Sequence, residues 1–291
     1  MKKIITHNGN FHADDIFAVA TLQLILEKEG FEVIRTRDEE IIKTGDFVID
    51  VGGVYDADKN LFDHHMPEGA GERENKIPYA SFGLVWKKFG KELCGTHDVR
   101  DKIDKKLAQV IDAADVGIDL FKNIKENVHP YLLRSFLVSL KPTWKEEDLD
   151  KDFMFDKAVG FAKEVLIREI KVTQDTMEAE TAVIKAYDEA KDKRIIVMDE
   201  KYPWESVLNK YEEPLYVVYP NISWRVKAVR DNFNSFENKN DLPESWAGKN
   251  DEELADITGV KDAVFCHRAR FLAGAKSKEG AIKLAQIALD T

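Results

Sequence analysis

Cysteine is nearly absent: the 291 residues include two, Cys94 and Cys266. Two thiols so far apart make no zinc motif on their own. One disulfide is open in principle, but such scarcity reads as a cytosolic chain with structural thiols. Long apolar runs are absent too. The longest apolar-rich stretch, Ile16 to Leu26, is interrupted by Thr21 and Gln23 and closed by Glu27-Lys28-Glu29. That falls short of the ~18–20 apolar residues that span a bilayer, so no membrane partner is expected. The start, Met1-Lys2-Lys3-Ile4-Ile5-Thr6-His7, reads as neither a secretory signal nor an Arg-rich transit peptide, and a cytoplasmic location is expected. Excess positive charge is also lacking. A net charge of −11 excludes a globally basic coat for nucleic acid. It does not exclude a nuclease whose carboxylates are offset by divalent cations and whose basic residues act locally.

What is present is a globular composition: 44% apolar, 33% charged, with 16 Phe, 8 Tyr and 5 Trp that need burial. The length suits two domains or one large one. The first part reads β-α-β-β: KIIT (3–6), a helix opened by Asp14 or Asp15 with an amphipathic pattern and Gly30 as its C′ residue, FEVIRT (31–36), DFVIDVGG (46–53), a turn at YDADKN, and LFDHH (61–65). Helices are expected over 81–93, 98–115 and from about Asp156 to Lys191, the last either unbroken or interrupted. From Arg194 the strands RIIVMD, LYVVYP and WRVKAV follow, with another in AVFCHRARF, and a helix closes the chain over 278–289. The expected fold class is α/β. A domain over 1–190 has a largely parallel sheet with flanking helices, and a smaller α+β domain occupies 191–291.

Four of the seven histidines lie at His7, His12, His64 and His65. The first pair sits in HNGNFHADD, after a strand and before a helix, where polar ligand groups collect in α/β sheets. Asp50 ends the apolar FVID, Asp63 precedes the second pair, and Asp115 closes an apolar helix. Several carboxylates a few ångströms apart cannot all stay ionised without nearby positive charge. Two divalent cations supply it. Imidazole with carboxylate suits Mn²⁺, Zn²⁺ or Fe, and Mg²⁺ prefers more oxygen. Each residue alone has a plainer reading as a turn, cap or satisfied core group; the ordered set carries the weight.

HNGNFHADD, DVGGVYD, FDHH, PYASFGLVW and SWAG…FLAGAKSKEGA together resemble the melanocyte-proliferating-gene family of the DHH phosphoesterase superfamily, over nearly the whole chain. The resemblance implies a DHH-type domain and two-metal hydrolysis of RNA from the 3′ end, with Mn²⁺ as the expected ion and Mg²⁺ or Zn²⁺ as alternatives. It implies His7 and His12 on the first metal, Asp14 on the second, Asp50 bridging, and His64 with Asp115 on the second. Asp63 would orient a histidine, and His65 would face the phosphate. Two departures stand out: His12 takes the place of a carboxylate found in many DHH enzymes, and the His7–His12 spacing is one residue longer than usual. Asp15 reads either as an extra ligand or as a helix cap. The superfamily's Gly-Gly-Gly-His loop is replaced by Leu272-Ala273-Gly274-Ala275-Lys276. Arg225, Lys227, Arg268, Arg270 and Lys276 are the phosphate-binding residues expected in the second domain, with solvated surface charges as the plain alternative. Other substrates open to the same chemistry are cyclic dinucleotides, nanoRNA and pyrophosphate. A non-catalytic scaffold stabilised by metal is the non-enzymatic alternative, and a homo-oligomer stays open.

Overall fold

Five short segments assemble the first sheet. In the computed structural model, which describes residues 1–146, 148–232 and 235–291, these are β1 (Lys2–Thr6), β2 (Phe31–Arg35), β3 (Phe47–Ile49), β4 (Tyr55–Asp56) and β5 (Leu61–Phe62). Their order is β2-β1-β3-β5-β4, parallel throughout except for the β4–β5 pair. Parallel strands end on one edge. Thr6 pairs with Ile49 and Ile49 with Phe62, so the next residues, His7, Asp50 and Asp63, emerge there side by side. β3 and β5 are shorter than the sequence pattern suggested. Gly52 and Gly53 take positive φ, and Asp63, His64 and His65 lie beyond the last paired residue. The turn expected at 55–60 contains β4, because Tyr55 and Asp56 pair back onto β5.

The helix after β1, α1 (Ala13–Ile25), is buried on all sides from Asp14 to Leu22 and so is not amphipathic. Its Cβ positions are covered by the sheet and by helices, which is why Ile16, Phe17, Val19 and Leu22 occupy different faces. It ends at Leu26, whose N–H donates to Leu22 O, and Gly30 lies past a further turn, its carbonyl accepting from Lys2 N. Then come α2 (Glu39–Ile42), α3 (Ser81–Cys94), α4 (His97–Ile103), α5 (Gln109–Asp115) and α6 (Leu133–Ser139). Between α4 and α5 the chain makes a π-turn over Asp104–Ala108, with Gln109 N donating to Asp104 O. The helix expected over 98–115 is therefore continuous in direction but not in hydrogen bonding.

The long helix α7 (Lys151–Glu189) runs unbroken for 39 residues, roughly 58 Å at 1.5 Å per residue. Phe155, Ala158, Val159, Ala162, Leu166 and Ile170 recur at three- and four-residue steps and are buried. The chain forms two compact units, Met1–Gln174 and Asp175–Thr291, dividing within α7.

The second unit contains β6 (Ile195–Val197), α8 (Glu205–Leu208), β7 (Tyr216–Pro220), β8 (Trp224–Ala228), α9 (Asp251–Thr258), β9 (Ala263–Cys266), β10 (Leu272–Ala275) and α10 (Lys278–Asp290). The sheet order is β6-β7-β8-β10-β9, with β6 and β7 parallel and the other pairs antiparallel. Tyr216, Val218, Val226, Trp246 and Leu284 anchor an apolar core. β10 overturns the expected loop at 272–276. Its small residues let it insert between β8 and β9, and a Cβ on Gly274 would lie 2.6 Å from Arg225 Nη1.

Candidate metal centre

The strand-edge residues are held by backbone groups before they meet one another. His7 Nδ1–H donates to Asn8 O at 3.0 Å, which leaves Nε2 as the bare nitrogen aimed inward. Asp15 Oδ1 accepts from His12 N at 2.7 Å and Ile16 N at 2.9 Å, capping α1 and leaving Oδ2 free. Asp14 accepts from Ser81 N at 3.0 Å and Phe82 N at 2.7 Å, so one carboxylate fixes the first turn of α3. Asp63 accepts from His64 N, His65 N and Gly53 N, and holds His65 Nδ1 at 2.8 Å. Asp50 sits in the left-handed region at φ 55, and its Oδ1 accepts from Ser81 Oγ at 3.3 Å.

Asp50 is the centre of the group. His7 Nε2 is 3.3 Å from Asp50 Oδ2 and also 3.3 Å from Asp15 Oδ2. His12 Nδ1 is 3.9 Å from Asp50 Oδ2, and His65 Nδ1 is 3.4 Å from Oδ1. His64 Nε2 lies 3.3 Å from Asp50 Oδ1, 3.2 Å from Asp115 Oδ2 and 3.9 Å from Asp14 Oδ2. Three sets have ligand atoms within 4.8 Å of one another: His7-His12-Asp15, Asp50-His64-His65 and Asp14-His64-Asp115.

These residues fit metal ions on an internal observation. His7 Nε2, Asp15 Oδ2, Asp50 Oδ2 and His64 Nε2 are buried without a hydrogen-bond partner, yet they face one another. Buried polar atoms left in this state cost free energy unless a ligand satisfies them. The titration behaviour agrees. Burial, with Asp50, Asp115 and Asp112 close by, pushes the Asp14 carboxyl well above its ordinary range. Burial raises Asp15 to about 7 against the pull of His7. Asp50 goes the other way: burial would raise it, but the facing imidazoles of His64 and His7 outweigh burial and hold the carboxyl low. Burial works to lower His64, and Asp115 and Asp50 outweigh it, pushing the imidazole up to about 10. The His64 proton thus occupies the electrostatic place of a cation among three carboxylates.

Residues 3–289 match the family model MYG1_exonuc, described as "Uncharacterised protein family (UPF0160)". The chain belongs to the MYG1 family. "MYG1 protein C694.04c" of Schizosaccharomyces pombe is 31% identical over 320 residues, covering 99% of this chain and 97% of the relative. "MYG1 protein YER156C" of Saccharomyces cerevisiae is 32% identical over 325 residues, covering 99% and 96%. "MYG1 exonuclease" of Bos taurus is 30% identical over 324 residues, covering 99% and 84%.

In this MYG1-family chain His7, His12, Asp14, Asp50, Asp63, His64, His65 and Asp115 converge at one edge of the first sheet. The two readings of Asp15 are not exclusive: one oxygen caps α1 and the other faces His7. The five basic residues expected to bind phosphate all lie in the second unit. Lys227 is 2.8 Å from Glu205 and Arg270 is 2.8 Å from Asp241. Arg225 stacks 4.5 Å from the Phe265 ring centre with Nη1 buried and unpartnered. Arg268 and Lys276 are exposed. Several residues at the centre escaped sequence reasoning. Arg37 lines a 330 Å³ cavity with His7, His12, Asp50 and His65, and Arg134 and Lys141 line another with His12, His65 and Asp115. Beneath the centre, Arg73 Nη1 pairs with buried Asp112 Oδ2 at 2.7 Å, and Asp112 accepts from Gly83 N on α3 at 3.0 Å.

Proposed function

We propose that this chain is a metal-dependent phosphodiesterase of DHH type that removes nucleotides from the 3′ end of RNA. The observation that carries the reading is the set of four buried, unpartnered ligand atoms facing one another around Asp50. Relatives named "MYG1 exonuclease" in Bos taurus and Homo sapiens point to the same class of reaction. Among the described residues no helix is long and apolar enough to cross a membrane.

When bound, two divalent cations, Mn²⁺ foremost, supply the charge that keeps the carboxylates ionised, acidifies a water and neutralises the phosphoryl oxygens. In this reading Asp50, which faces both histidine pairs, would help to hold both ions. His7 and His12 hold one, joined by Asp15. Asp14, His64 and Asp115 hold the other. The Asp63 carboxylate fixes the Nδ1–H of His65 and orients the ring, so that in its imidazolium form Nε2–H would donate to a substrate phosphate oxygen. Asp14 has a second task, because it ties the metal centre to the N-terminus of α3. Water adds across the P–O bond, the terminal nucleotide leaves as a nucleoside monophosphate, and the shortened chain keeps a 3′ hydroxyl. In the same reading the second unit's Arg225, Lys227, Arg268, Arg270 and Lys276 are phosphate-binding residues.

Incubation with an end-labelled RNA and Mn²⁺, Mg²⁺ or Zn²⁺ is expected to shorten it stepwise from the 3′ end; an intact oligomer in every metal overturns the reading. The net charge of −11 favours a second version in which the substrate is short, since long polymers need sustained phosphate contacts. Hydrolysis of a dinucleotide with no activity on a twenty-mer selects that version.

A further inference from the structure

A cavity of 620 Å³ is lined by His12, His65 and Asp115 of the metal centre together with Arg134 and Lys141 on and just after α6. A second cavity of 410 Å³ adjoins it. The two share Ala13, Ile111, Ala114 and Arg134, and the second is otherwise mostly apolar, with Val110, Ile118, Phe121 and Leu133 among its walls. Arg134 therefore stands where the polar cavity meets the apolar one. In the same unit buried Arg73 pairs with Asp104 and Asp112, and half-buried Arg35 pairs with Asp152; Lys141 is half-buried and Arg134 exposed. Among the described residues Arg134 and Lys141 have no carboxylate partner, although the chain has a large acidic excess. Lys141 instead lies 5.6 Å from the Phe11 ring centre, at the mouth of the same cavity.

Metal ligands, then free cations, then an apolar recess is the order of groups that a nucleotide presents in reverse. Its phosphates need the charge and its base needs a dry, flat-walled space. We propose that the α6 groove is a nucleotide subsite, with Arg134 and Lys141 holding the phosphate beside the one at the metal centre and the apolar recess taking the base. This inference rests on the phosphodiesterase reading for its ligand class. An apolar peptide would leave both cations without a counter-charge, which disfavours it.

Calorimetric titration of the Mn²⁺-loaded protein with AMP and with ribose 5-phosphate tests the subsite. AMP is expected to bind about tenfold more tightly than ribose 5-phosphate, as one well-buried base would require. Arg134→Ala is expected to weaken both ligands by about tenfold, through loss of a charge-assisted hydrogen bond. Val110→Trp, made at a half-exposed position, fills the recess and is expected to weaken AMP alone. Metal content stays unchanged in both variants. Equal binding of the two ligands, no AMP binding, or indifference to Arg134→Ala overturns the subsite. If the wild type shortens RNA but Arg134→Ala binds AMP normally, the subsite alone falls. If RNA is untouched while AMP follows the expected pattern, the subsite stands and the catalytic reading alone falls.

Discussion

Among the described residues, eleven of the twelve buried polar or charged residues lie in Met1–Gln174, including His7, Asp14, Asp15, Asp50, Asp63, Arg73 and Asp112; Thr258 is the sole member in Asp175–Thr291. The second sheet rests on an apolar core, with its Lys227–Glu205 and Arg270–Asp241 pairs partly exposed. Such pairs contribute about 0–1 kcal/mol each. The first sheet gathers carboxylates that raise one another's pKa and depend on imidazoles for counter-charge. Buried charge of this kind weakens a fold unless something binds to it. The contrast teaches that one unit closes on an apolar core while the other keeps clustered charge in its interior, the arrangement the proposed metal site would use.

The contrast can be broken most severely at its centre. Asp50→Ala is expected to remove both metals and lower phosphodiesterase activity by more than about a hundredfold, beyond what loss of a supporting group costs. Elemental analysis beside an activity assay checks it, and a variant that retains both ions refutes that shared role. Next comes Gly83→Ala. The added Cβ would lie 1.8 Å from Asp112 Oδ2 and 2.7 Å from Arg73 Nη2, forcing the buried pair apart. A loss of about 3–5 kcal/mol in denaturant unfolding is expected. Asp63→Asn should keep the metals but lower activity by about 10–100-fold, because His65 loses its anchor. In the other unit, Gly274→Ala meets Arg225 and Phe265 side chains at 2.6 and 2.9 Å. Overpacking there should cost about 1–3 kcal/mol and leave metal content unchanged.

The smallest effect is a dependence on pH. In the metal-free chain His64 keeps its proton up to about 10, against an ordinary 6.5. A raised pKa in the folded state means that this proton stabilises fully below pH 6.5, with the benefit lost as pH climbs towards 10. A metal needs the same nitrogen bare. The metal-induced rise in Tm should therefore grow from pH 6.5 upward in calorimetry; a shift that shrinks over that range contradicts the assignment of His64 as a ligand.

The residues that converge at the sheet edge were legible because each interrupts an apolar strand or opens a helix, where a polar group has no packing reason to be. Parallel register then makes three separate strand ends one place. Arg73 and Asp112 gave no such signal. Their pairing crosses from a Gly-rich loop to a helix, and their residue types look like ordinary surface charge. Arg134 and Lys141 were hidden for the same reason, since only packing of α6 brings them near His12 and His65. β10 was missed because Leu-Ala-Gly-Ala has no β-branched or aromatic residue, and its strand character comes from neighbours on both sides.

The π-turn at Asp104–Ala108 has a consequence for inheritance and engineering alike. It takes up one residue more than an α-helical turn would, which rotates everything downstream by roughly 100°. Asp112 reaches Arg73 and Asp115 reaches His64 only in that phase. A single-codon deletion at Lys105, Lys106, Leu107 or Ala108 would preserve every acidic and imidazole group in the gene and still swing both aspartates out of reach, so spelling and spacing are separately essential here.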